Sequence, residues 1–261
     1  MEALPSLRRY ALTHNRRPLR QTAPLFLDFL APSAVQPPSS RRYFSSTPST
    51  SSNETEGSEA NPKTSTGKPR YILSKKQREY LDSAIRVNQA GELAATLIYA
   101  AQKPPVVRSH PHLRPLMKHM YDQEAGHFSA FNQLVAKHRI RPTAMYPIWQ
   151  VAATFLGWST GIMGREAAMA CTEAVETEIG SHYNEQVREI LSWMEEAEQR
   201  GEEVDDELKD LLALLRKTRD EELEHLDHAV ENDSKQAKPY EPLVNIIRYG
   251  CRAAIKISER I

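Results

Sequence analysis

Between Tyr71 and the C-terminus, apolar residues recur three and four positions apart, and no alternating or β-branched run competes with that spacing. This is the signature of amphipathic helices packed side by side, so the pattern predicts an all-α domain. Ser74 is a natural N-cap for a first segment whose seam reads Leu81, Ile85, Asn88, Glu92, Ala95, Tyr99, and Pro104-Pro105 is expected to stop it near Gln102. A second segment, about 111 to 138, carries Leu113, Met117, Met120, Glu124, His127, Phe131 and Leu134. A third, about 165 to 199, carries Glu176, Ile179, Tyr183, Val187, Ile190 and Met194. A fourth presents Val204, Leu208, Leu211, Leu215, Thr218, Glu222, His225 and Ala229, and a C-terminal helix is expected from Leu243 to about Arg260.

What breaks these seams carries the chemistry. A carboxylate at a core position costs several kcal/mol unless it is paired or bound to a cation, so four of them need a common cause. Glu124-Ala-Gly-His127 and Glu222-Leu-Glu-His225 each place a carboxylate and an imidazole one turn apart on the apolar face, and each follows a helix with a single seam glutamate. Those glutamates are Glu92 in the first half and Glu176 in the second; Glu173 lies one turn from Glu176 on a similar face, while Glu178 points elsewhere. The order Glu, Glu-x-x-His, Glu, Glu-x-x-His reads as a two-fold pseudo-repeat with six ligands, the set that holds two ions inside a helical bundle. Ligation by oxygen and nitrogen fits iron or manganese better than structural zinc, and iron has the advantage of activating oxygen.

Composition changes the picture at the N-terminus. The whole chain of 261 residues balances 34 basic against 34 acidic side chains, which excludes a generic phosphate-tracking surface and hence a nucleic-acid partner. The balance conceals a division: residues 1–43 hold seven arginines and two acids, leaving 27 basic against 32 acidic residues beyond. An arginine-rich, acid-poor start ending in Arg41-Arg42-Tyr43-Phe44 has the character of a mitochondrial presequence. Residues 44–70 are Ser, Thr, Asn, Pro and Glu with little apolar content, a linker, and residues 71–261 form the folded domain. Two cysteines, Cys171 and Cys251, are too few for a disulfide scaffold.

From Arg141 to Arg165 no charged residue intervenes, and Trp149, Phe155, Trp158 and Ile162 make the stretch strongly apolar. Pro147, Gly157, Gly161 and several hydroxyls make it a poor membrane span, so the expectation is an interfacial element that docks the bundle on lipid and admits an apolar substrate.

The segments Arg86-Val-Asn-Gln-Ala-Gly-Glu92, Tyr121-Asp-Gln-Glu124-Ala-Gly-His127, Ala170-Cys-Thr-Glu-Ala-Val-Glu176 with His182-Tyr183-Asn184, and Arg219-Asp-Glu-Glu222-Leu-Glu-His225 resemble the demethoxyubiquinone hydroxylases of mitochondrial coenzyme Q synthesis. The likeness runs from about Tyr71 to Ile261. It implies a ferritin-like four-helix di-iron bundle with the apolar interfacial segment and the C-terminal helix added, and an O2-dependent hydroxylation of a polyprenyl demethoxyquinone ring. It also implies metal ligands at Glu92, Glu124, His127, Glu176, Glu222 and His225, choosing Glu176 over Glu173, and a catalytic pair at His182 and Tyr183 beside the metals. Two iron ions per chain, O2 and an external reductant such as NADH are the implied cofactors. The implied setting is the matrix side of the inner membrane, peripherally bound, among other coenzyme Q proteins including a lipid-binding partner. The rival readings are a quinol oxidase of related design, a ferroxidase bundle, and a non-catalytic lipid-binding scaffold.

Overall fold

The structure, a computed structural model, describes residues 69–261, and the presequence and nearly all of the linker lie outside the described residues. Six helices account for most of what is described: α1 (Lys75–Ser109), α2 (Arg114–His138), α3 (Tyr146–Met163), α4 (Arg165–Gln199), α5 (Asp206–Glu231) and α6 (Tyr240–Ser258). Helices α1, α2, α4 and α5 form the ferritin-like bundle, as two hairpins joined by a long crossover that contains α3. Helix α3 lies along α1 and also touches α4, and α6 packs mainly on α4.

Local chemistry sets the helix starts. Ser74 caps α1 with a complete capping box, its hydroxyl accepting from the Gln77 amide while the Gln77 side chain accepts from the Ser74 amide at 2.7 Å. Asp205 caps α5 by accepting from Glu207 N at 3.1 Å. The end of α1 departs from expectation, because the helix continues through Pro104 and Pro105 to Ser109. The two missing donors leave the carbonyls of Ala100 and Ala101 unpaired within the helix, and Ala100 is exposed, where water can satisfy it. Buried Val106 and Val107, together with the Gln102 side chain donating to Thr160 and to the Ala168 carbonyl, hold the last turns in line. Tertiary packing here outweighs a local stop signal.

The apolar interior is divided. One cluster, at the end of the bundle containing Leu81, Phe131, Val187, Ile190 and Leu215, fills the space between all four helices. A second, with Val106, Met117, Met120, Met169 and Ala229, fills the other end. The seam glutamates and histidines fall between them along every helix, so the polar layer is sealed on both sides.

Within the segment 141–165, Tyr146–Met163 form α3, and its glycines have a packing role. A methyl on Gly157 would sit 2.4 Å from the Ile98 carbonyl oxygen, and one on Gly161 would meet Pro105 and Gln102. The same glycines that weaken a membrane span thus allow α3 to lie against the α1 backbone. Among the described residues no helix is long and apolar enough to cross a membrane.

Candidate metal centre

All six sequence-predicted ligands are brought to one level of the bundle and are at most 5 % exposed. They form two overlapping groups, each with donor atoms within 4.8 Å of one another: Glu92, Glu124, His127, Glu222, and Glu124, Glu176, Glu222, His225. Glu124 and Glu222 belong to both. His127 Nδ1 lies 3.2 Å from Glu222 Oε1 and 3.4 Å from Glu92 Oε2, and His225 Nδ1 lies 2.9 Å from Glu124 Oε1 and 3.2 Å from Glu222 Oε2.

These atoms fit a cation pair. Both oxygens of Glu124 and of Glu222, one oxygen each of Glu92 and Glu176, and both Nδ1 atoms are buried with no hydrogen-bond partner. Native interiors seldom leave such groups unpaired. Two divalent ions would balance the charge of four carboxylates while the imidazoles stay neutral. Without cations, protons must fill the role. Burial, and the Glu222 carboxylate nearby, push Glu92, Glu124 and Glu176 above the usual carboxylate range. Burial would push Glu222 the same way, but His127 and His225 hold it down to about 2. Burial alone would lower His127, yet the adjoining Glu222 and Glu92 carboxylates lift it to about 11.

A second layer orients the donors. His127 Nε2 is 2.7 Å from Glu221 Oε2, and His225 Nε2 is 2.9 Å from Gln123 Oε1. Both acceptors draw the ring proton to Nε2 and leave Nδ1 free to face inward, the arrangement that metal-binding imidazoles use. Each acceptor directly precedes the glutamate of the opposite Glu-x-x-His motif, so the two motifs hold each other's histidines. The Tyr99 hydroxyl donates to Glu176 Oε1 at 2.9 Å, and the Tyr183 hydroxyl to Glu92 Oε1. Sequence reasoning passed over Tyr99, Gln123 and Glu221. The signal was available: Tyr99 stands seven residues after Glu92 as Tyr183 does after Glu176.

Glu173 is occupied elsewhere, accepting from Ser234 at 2.6 Å, from Tyr240 at 2.7 Å and from Lys235. Glu178 accepts from Arg248 at 2.6 Å and from Arg252 at 2.7 Å. Both glutamates tie the C-terminal region to α4.

Comparison with known proteins places this architecture. The family model described as ubiquinone biosynthesis protein COQ7 matches residues 79–258. The chain belongs to the COQ7 family. It is 45 % identical over 190 residues to the Saccharomyces cerevisiae protein named 5-demethoxyubiquinone hydroxylase, mitochondrial, covering 72 % of this chain and 82 % of that one. It is 42 % identical over 184 residues to the Homo sapiens protein named NADPH-dependent 3-demethoxyubiquinone 3-hydroxylase, mitochondrial, covering 70 % and 79 %. A Rhodospirillum rubrum protein named 3-demethoxyubiquinol 3-hydroxylase is 38 % identical over 181 residues, covering 69 % and 78 %.

In this COQ7-family chain an apolar cavity of about 350 Å³ runs between α1, α3, α4 and α6 to the edge of the centre. Leu156, Ile179, Ile247 and Ala254 line its walls, and Glu92, His182 and Tyr183 line its polar end. His182 does not join the ligand groups; it is half-buried on the cavity wall with Nε2 unpartnered, and burial lowers its pKa to about 4, so it is a neutral imidazole near pH 7. Outside the cavity, Val151, Phe155 and Trp158 of α3 are 71 %, 64 % and 52 % exposed, and Tyr249 of α6 is exposed too, as is Ile246 at the cavity's rim. Trp149 differs from its neighbours: its indole donates to Ser258 at 3.0 Å and its ring lines the cavity, joining α3 to α6.

Proposed function

We propose that this protein is a mitochondrial di-iron monooxygenase that hydroxylates the ring of a polyprenyl demethoxyquinone, a late step of ubiquinone biosynthesis. The observation that carries the reading is the cavity, apolar along its length and ending at Glu92 and Tyr183, beside a buried donor set for two cations. The overall reaction converts a ring C–H, O2, two electrons and two protons into C–OH and water, with the electrons from a nicotinamide nucleotide or another external reductant. Iron supplies the oxygen-activating chemistry when bound; Glu92, Glu124, His127, Glu176, Glu222 and His225 are its proposed ligands, Glu124 and Glu222 shared.

The chain's own residues have distinct tasks. The two apolar clusters exclude water from above and below the centre. The cavity walls orient the quinone ring toward Glu92 with its tail directed along α3 and α6. Tyr183 fixes the Glu92 carboxylate from α4 and offers a hydroxyl proton at the cavity's end, while neutral His182 can accept or deliver one from the wall.

The exposed faces of α3 and α6 support peripheral attachment to the matrix face of the inner membrane, and they also suit a lipid-binding partner from the same pathway. The arginine-rich start, removed on import, would deliver the protein there.

The test is turnover of a short-tailed demethoxyquinone by purified, iron-loaded protein under 18O2 with a nicotinamide reductant. One labelled oxygen in the new hydroxyl is expected. Quinol oxidation without oxygen insertion would favour an oxidase and overturn the reading.

A further inference from the structure

On the solvent side of the same helix pair, a second constellation lies outside the buried centre. His119 of α2 faces Glu224 and His228 of α5, and one donor atom from each lies within 4.8 Å of the others. Glu224 Oε1 is 3.7 Å from His119 Nε2 and 3.5 Å from His228 Nε2. Simple hydrogen bonds would draw these atoms to about 2.7–3.0 Å. Two donors about 2.1 Å from one ion, at a tetrahedral angle, stand roughly 3.4 Å apart, close to both separations.

The surroundings prepare these side chains. The Gln123 amide donates to Glu224 Oε2 at 3.4 Å, which leaves Oε1 turned toward the imidazoles. His228 Nδ1 lies 3.6 Å from Glu231 Oε2, a carboxylate behind the ring of the kind that orients a metal-binding imidazole. The His119 and His228 rings meet edge to face, 6.3 Å apart at 75°, so they converge rather than stack.

We propose that His119, Glu224 and His228 form a third, solvent-facing site for a divalent transition-metal ion such as Fe2+, Co2+ or Zn2+. Three protein ligands leave positions open to water, so the ion is exchangeable. Gln123 connects the two sites, since its amide nitrogen holds Glu224 and its oxygen accepts from His225. The surface site is therefore a capture point on the approach to the buried donors.

The test compares full-length wild type with the His119→Ala/His228→Ala double variant, both outside the buried centre. In anaerobic Co2+ titrations the variant should take up one equivalent fewer, and the missing equivalent should carry the visible absorption of low-coordinate cobalt. This difference does not depend on what the buried centre holds, so it separates this site from the reading of the enzyme. Equal uptake by the two proteins would overturn the site. Stopped-flow Fe2+ loading of the variant should be several-fold slower to the same buried occupancy; an unchanged rate would overturn the capture role. A matching circular dichroism spectrum checks that the variant is folded, and Glu224→Gln should reproduce the missing equivalent.

Discussion

Tyr99 and Tyr183 each hold the carboxylate that belongs to the other's helix: Tyr99 of α1 donates to Glu176 of α4, and Tyr183 of α4 donates to Glu92 of α1. The exchange crosses the bundle twice at the level of the centre, so each tyrosine couples the position of a carboxylate to the spacing between the two helices. The two partners are not equivalent, because Tyr183 lines the cavity and Tyr99 is buried away from it.

Replacing Tyr99 by phenylalanine should therefore weaken iron binding about tenfold, within the range for outer-layer partners, and leave the substrate KM unchanged. Tyr183→Phe should lower kcat more than Tyr99→Phe at equal iron content. Iron analysis beside steady-state kinetics distinguishes these effects, and identical profiles for the two variants would contradict the assignment.

Glu124→Gln should abolish stoichiometric iron binding and activity, yet leave the metal-free protein within about 1 kcal/mol of wild type. Burial and the Glu222 carboxylate raise the Glu124 carboxyl well above the usual carboxylate range, which favours its uncharged form, and an amide of the same shape is a close substitute for that form. Chemical denaturation in the presence of a chelator measures this. A large loss of stability would show that Glu124 is a structural anchor.

The metal-free and metal-loaded states should respond to pH in opposite directions. The pKa values of Glu92, Glu124 and Glu176 are raised by folding, so their favourable contribution is full at acid pH and declines as pH rises through the raised values. Metal binding displaces those protons, and that from His127, so iron affinity should increase with pH over the same interval. Calorimetric titrations in buffers of different ionisation enthalpy would count the protons released, and a release of none would refute the account.

Gly157→Ala should separate α3 from α1, because the added methyl would lie 2.4 Å from the Ile98 carbonyl oxygen and 2.7 Å from its Cα. A cost of about 1–3 kcal/mol is expected from such overpacking, with loss of quinone turnover as the α3 wall of the cavity shifts. Thermal unfolding reports the first effect and KM for the quinone the second.

Polar substitutions at Val151, Phe155 and Trp158 should release the protein from anionic vesicles while iron content and helicity persist, since all three side chains project from the fold. Trp149→Ser should behave differently, disturbing the α3–α6 junction and the cavity. Vesicle sedimentation separates the two classes.

The bundle and the level of its centre were legible because helical period and carboxylate burial are both local in sequence: Glu92, Glu124, Glu176 and Glu222 interrupt seams whose register continues on either side. The continuation of α1 through Pro104-Pro105 was not, because what holds it is packing by Gln102, Val106 and Val107 against partners distant in the chain. Hydrophobicity alone groups Trp149 with Phe155 and Trp158, and only the placement of Ser258, more than a hundred residues away, separates it from them. The Glu173 alternative closed for a similar reason, since Ser234, Lys235 and Tyr240 reach it from beyond α5.

Helix α6 supplies one side of the cavity and is fastened to α4 by Glu178 with Arg248 and Arg252, and near its start by Glu173 with Tyr240. Ionic fastenings of this kind tighten in a low-dielectric setting and slacken when mobile ions screen them. The two arginines reach into solvent while Glu178 is buried, so salt can compete for this latch from the arginine side. Ionic strength is therefore a handle on how firmly α6 is held beside the cavity.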